Sequence, residues 1–300
     1  MEDELFTMRE EKVSKALIKM GLPAISASLV TIAFNIIDTY FVSLLKDPAM
    51  IAATTIGLPL TMIIQSFGEG LAVGSGAYIS KLLGQKNETD ARKAFMTSVV
   101  LTAIIGFLCS FIFLVFLNKI LPFFKITQDV ILYSRDYLFI ILLGSLPIIA
   151  KTVFTYLLRC QGIIKWPMIC IFIGIFTNLL LDPILMFGFD LKIKGAALAT
   201  TLAEYLSMAL MAAKLFRKNN LLYGSCEKLA IDKQALQNIV SIGFPAFVRN
   251  ILSSISMSFL VRAAGVFSTA FVAAMPVPAS PSGGQNAMPG LSSPDGSRNF

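Results

Sequence analysis

Long apolar runs separated by short polar connections set the pattern of this sequence. The runs fall at about 22–45, 51–83, 95–117, 130–158, 166–189, 195–216 and 239–267. Each contains about 20 or more residues, enough to cross a hydrocarbon layer about 30 Å thick. A backbone in lipid must satisfy its own polar groups, so runs this long and continuous are expected to be helices. The second is long enough to tilt or to extend past the bilayer. The pattern therefore predicts an all-α polytopic membrane bundle.

The connections divide the chain. Residues 1–20 read as a charged, amphipathic lead-in without an apolar core, unlike a cleavable signal peptide. Residues 21–216 hold six spans, 217–238 form a polar loop, and 239–275 hold a seventh span. Lys46-Asp47-Pro48 is a short turn, and GQKNETDARKA, Gly84 to Ala94, is a second polar connection. An internal repeat spans this division: VSKALIKMGLPA, ending at Ala24, resembles KQALQNIVSIGFPA, ending at Ala246, 222 residues on. Six spans separate the copies, so both start on the same side and the halves are expected to be parallel repeats. From Pro276 to Phe300 the composition changes to Pro, Gly and Ser with few bulky apolar residues. A truncated or shifted reading frame, or a natural disordered tail, would each give such a change.

Composition agrees with membrane embedding: 56% of residues are hydrophobic, 14% are charged, and mean hydropathy is +0.75. A net charge of +7 would suit a nucleic-acid partner if it formed one patch. Here the bases lie in the connections, so no nucleic acid is expected and the charge is a topology signal. Fifteen Lys and Arg flank one side and six the other, which predicts a cytoplasmic amino terminus. The Asn87-Glu88-Thr89 sequon then lies in the cytoplasm, where it is inert. There is no histidine, which removes imidazole catalysis and His-ligated metal, and an enzyme is not indicated. Cys109, Cys160, Cys170 and Cys226 show no paired spacing, so they are expected to pack.

The costly residues are the acids inside spans, each about 2.5–3.5 kcal/mol at a helix centre. Asp182 precedes Pro183 in NLLLDPILMF and lies four residues from Asn178; Asn35 and Asp38 are three apart; Thr200 and Glu204 are four apart. Each pair shares one helix face. Three such pairs suggest a buried polar pocket, where a carboxyl in a low dielectric can exchange a proton near neutral pH. The same oxygens could instead hold Na⁺, the one metal ion indicated, and no organic cofactor is expected. Gln65 and Glu69 lie beside the glycines of Gly68 to Ala77, where no P-loop Lys-Ser/Thr follows and small-residue helix packing is the better reading. Lys151 could snorkel or pair with an interior acid.

At GLPAISASLVTIAFNIIDTYFVSLL, GLAVGSGAYISKLLGQKNETDARKAF, LRCQGIIKWPM, NLLLDPILMFGFDLKIKGAALATTLAE and IGFPAFVRNILSSIS the chain resembles the MATE family, the multidrug and toxic compound extrusion transporters. The resemblance covers about residues 10–275. It implies two six-helix lobes in the plasma (inner) membrane that export cationic or amphipathic drugs in exchange for H⁺ or Na⁺ by alternating access. On it, Asp38, Asn178, Asp182 and Thr200 match the cation site of the amino-terminal lobe, while Asn35, Gln65, Glu69, Lys151 and Glu204 are secondary pathway candidates. Two departures stand out. Arg159-Cys160-Gln161-Gly162 replaces the usual Arg-Ala-Glu-Gly, and the second lobe stops after its first helix. The expectation is an amino-terminal lobe plus one helix, with a second lobe as a missing partner. A lipid-linked oligosaccharide flippase of the same superfamily, or a nonfunctional or binding fragment, is the alternative.

Overall fold

The computed structural model describes residues 37–124, 127–217, 220, 222–223, 231–267 and 272. The lead-in, the first span through residue 36 with Asn35, Cys226 and the Pro-rich tail lie outside the described residues. Among those described the protein is helical, without a strand. The end of the first helix, α1, covers 37–43. Then follow α2 (Pro48–Gly84), α3 (Glu88–Ile120), α4 (Gln128–Leu143), α5 (Ser145–Arg159), α6 (Lys165–Pro183), α7 (Lys192–Leu215) and α8 (Lys233–Phe267).

Local chemistry sets the boundaries. The Asp47 carboxylate accepts from the Ala49 amide at 2.9 Å, and Pro48, whose missing N–H costs nothing at a first helical position, starts α2. Asn87, the asparagine of the sequon, caps α3 by accepting from the Asp90 amide at 3.2 Å. After α5 the chain reverses at Gly162, whose φ of 82° lies in the left-handed region. Its amide bonds to the Arg159 carbonyl, and that of Ile163 to Leu158.

The fourth span, expected as one helix, is two. α4 and α5 meet at a 45° bend around Gly144. Pro147 has no N–H to give the Leu143 carbonyl four residues before it. Side-chain hydroxyls replace the lost backbone bonds: Tyr205 Oη donates to Leu143 O at 3.2 Å, Ser110 and Ser145 Oγ to Leu142 O at 2.7 and 2.6 Å, and Thr201 Oγ1 to Ile140 O at 3.3 Å. A bend in lipid persists only if its carbonyls are satisfied in this way. The fifth span also changes form. After Pro183 it continues as a π-helical turn, Ile184–Gly188.

α2 and α5 form the centre, with Ile56, Leu60, Ile64, Ile149, Val153 and Leu157 almost wholly buried. α3 is peripheral and turns Phe107, Phe111 and Val115 outward, the face a lipid-contacting helix needs. α8 begins at Lys233, six residues before the expected start of the seventh span, because Asp232 caps it by accepting from the Ala235 amide at 2.8 Å. It lies against α2 where Gly70 and Gly74 meet Gly243. A methyl at Gly74 would run into the Ile239 carbonyl, and one at Gly243 into that of Gly70. The glycine-rich stretch thus packs helix on helix. The Phe67 and Phe247 rings meet at a tilt, centroids 5.0 Å apart, and the Arg262 guanidinium lies 4.5 Å from the Phe123 ring.

Candidate cation site

α6 places Asn178 and Asp182 one turn apart on its buried face, 2% and 0% exposed respectively. Helix α7 crosses beside them and presents Thr200. With its nitrogen facing Asp182, the Asn178 amide donates to Asp182 Oδ2 at 2.9 Å, and its oxygen accepts from Thr200 N at 3.0 Å and Oγ1 at 3.2 Å. The opposite orientation sets oxygen against oxygen, so chemistry selects this one. From α1, the Asp38 carboxyl comes within hydrogen-bonding reach of Asp182. Asp182 Oδ1 is buried and has no hydrogen-bond partner. Four residues from three helices therefore meet at one point.

Tyr137 of α4 also belongs here, close enough to Asp38 and Asp182 to feel both charges, with its ring packed against Gly57. Sequence reasoning missed it. A tyrosine in a span is ordinarily an interfacial anchor, and nothing local in the sequence marks this one as facing Asp38 and Asp182. Asn35 lies outside the described residues.

The secondary candidates form a polar face shared by three helices. On α2, Thr61, Gln65 and Glu69 recur every four residues and are partly or fully exposed. Apart from Leu146, the partly exposed residues of α5 are Lys151, Thr152, Tyr156 and Arg159. On α7, Thr200, Glu204 and Met208 share one side, with the outward Leu202 on the opposite one. Across this face Tyr156 Oη donates to Glu69 Oε2 at 3.4 Å, and Lys151 forms an ion pair with Glu204. Lys151 therefore pairs with an interior acid and does not snorkel. Arg249 of α8 and Arg159 lie in electrostatic reach of Glu69. Gln65 and Glu69 do not meet the four residues of the acid site in any described contact.

The fold and these sites define a multi-pass membrane protein, a helical bundle in which Asp38 faces the buried Asp182. The MatE family profile matches residues 23–184, and the chain belongs to that family. It is 30% identical over 252 residues to a multidrug export protein MepA of Staphylococcus aureus, covering 84% of this chain and 56% of that one. Against the MepA of Staphylococcus haemolyticus it is 29% identical over 255 residues, covering 85% and 56%. Its fold is similar to an inward-facing structure of a multidrug resistance MATE transporter of the MOP superfamily. There the TM-score is 0.76 at 23% identity, over 84% of this chain and 59% of that one. The chain spans about half the length of the curated relatives it matches.

Proposed function

We propose that this chain is the cation-coupling lobe of a multidrug antiporter in the plasma (inner) membrane, with its amino terminus in the cytoplasm. It exchanges H⁺ or Na⁺ for cationic or amphipathic drugs by alternating access. The observation that carries this reading is the approach of Asp38 to Asp182 around an unpartnered Asp182 Oδ1. Two ionised carboxylates cannot hydrogen-bond to one another; a proton on one, or a cation between them, is required. The carboxylate oxygens of Asp38 and Asp182 are donors suited to a hard cation, while Asn178, held in turn by Thr200, positions Asp182 by donating to its Oδ2. A loaded site ties α1 to α6. An empty one drives the two acids apart, and that difference couples the ion to drug binding on the adjoining polar face.

Purified protein in nanodiscs tests this directly. Adding ethidium should release protons or bound ²²Na⁺, and Asp182→Asn should reduce that release at least about tenfold, as loss of one intramembrane ion ligand implies. Undiminished drug-induced ion release from the variant would overturn the proposal.

A further inference from the structure

The Lys151 and Glu204 ion pair has a use that the acid site does not account for. Glu204 lies twelve residues into α7, about 18 Å from its start, and Lys151 lies about 12 Å of helix rise from Arg159. Both are therefore far from either membrane surface. The side chains are 27% and 20% exposed, so the pair borders open space on the polar face instead of being sealed between helices. An ion pair so placed is weak support for a fold, since well-packed apolar residues stabilise as much or more. Nor is the pair saturated: the ammonium meets Glu204 Oε1, while Glu204 Oε2 has no hydrogen-bond partner. Glu204 is also one turn from Thr200, so it lies next to the cation site on the same face of α7.

We infer that Lys151 is a resident cation that an organic cation must displace from Glu204, and that this pair sets the sign of the charge the polar face accepts. Lysine suits the role. Its ammonium is a point charge on a flexible four-carbon stem and holds Glu204 without the fixed two-pronged grip of a guanidinium. In the resting protein the two charges cancel, and neither sign is favoured strongly. A lipophilic cation replaces the ammonium at Glu204 and leaves Lys151 to turn along the face. The inference rests on the polar face being the drug site, and it assigns the residues that determine substrate charge there.

Tetraphenylphosphonium and tetraphenylborate, ions of nearly one shape and opposite charge, provide the test. Their binding is measured on the purified protein in nanodiscs against empty discs, for wild type, Lys151→Gln, Glu204→Gln and the double variant. Lys151→Gln should bind the phosphonium about tenfold more tightly than wild type, the scale of one unmasked partly desolvated charge. Glu204→Gln should shift preference toward the borate by a similar factor. The double variant, which leaves no unpaired charge and so guards against misfolding of the single ones, should return to the wild-type ratio. A phosphonium-to-borate ratio that stays within about twofold across all four proteins would overturn the inference. Because Asp38 and Asp182 are intact in each, that result would leave the coupling reading standing; persistent ion release from Asp182→Asn would sink only the latter.

Discussion

At the scale of single residues, the acid site trades stability for use. Asp182 is fully buried, has one oxygen without a partner and faces a second carboxyl. An amide in its place would carry no charge, could donate to Asp38 and would still accept from Asn178. Asp182→Asn should therefore raise the unfolding temperature in detergent by about 2–4 °C, roughly what 1 kcal/mol is worth in a domain of this size. A lower unfolding temperature, measured by tryptophan fluorescence or thiol reactivity on heating, would mean that Asp182 is stabilised as an anion by groups outside this set. Asn178 and Asp182 were legible as a pair because helical spacing puts them on one face; Thr200 stood out as a polar residue in a span, one turn from Glu204, and its place beside the other two came only from the family resemblance. Tyr137 was not, because tyrosine is common at span ends and nothing local marks the one that points inward.

At the scale of elements, the bend between α4 and α5 shows what a proline in lipid requires. The apolar run from 130 to 158 contains Pro147 but gave no sign that it divides into two helices. The division depends on hydroxyls from elsewhere: Ser110 on α3, Thr201 and Tyr205 on α7, with Ser145 at the bend itself. Side chains on other helices cannot be read from a local window. The link between Pro147 and Tyr205 is open to a double-mutant cycle. Tyr205→Phe strips the Leu143 carbonyl of its donor and should cost about 1 kcal/mol, the usual net value of one hydrogen bond. In a Pro147→Ala background the restored backbone N–H can serve that carbonyl, so Tyr205→Phe should then cost close to nothing. Equal losses in both backgrounds, measured as shifts in urea or thermal midpoint, would show that Tyr205 acts elsewhere.

At the scale of the whole molecule, the membrane-length helices among the described residues fall where the apolar runs do, with the run at 130–158 divided into a bent pair, since lipid leaves the backbone so few choices. What length could not give was the placement of α8. Its contacts with α2 run through Gly70, Gly74 and Gly243, while Asp232 N donates to Thr97 Oγ1 at 3.0 Å near one end and Arg262 rests on Phe123 near the other. α8 is thus fastened to α2 and to the α3 region along most of its length, a tertiary arrangement with only a run of glycines to announce it. Orientation in the membrane rests on charge. The connections around Lys81–Lys93, Arg159–Lys165 and Lys214–Lys233 lie at the basic end, and those around Lys46, Lys119 and Lys192–Lys194 at the other. Since α2 to α7 alternate in direction once α4 and α5 are taken as one span, a single measurement at each end settles every helix. In a variant lacking Cys109, Cys160, Cys170 and Cys226, a membrane-impermeant maleimide added to intact cells should label Lys192→Cys at once. It should reach Gln85→Cys only after the membrane is permeabilised. The reverse order of labelling would invert the molecule and place Asp38 and Asp182 in the cytoplasmic half of the bilayer.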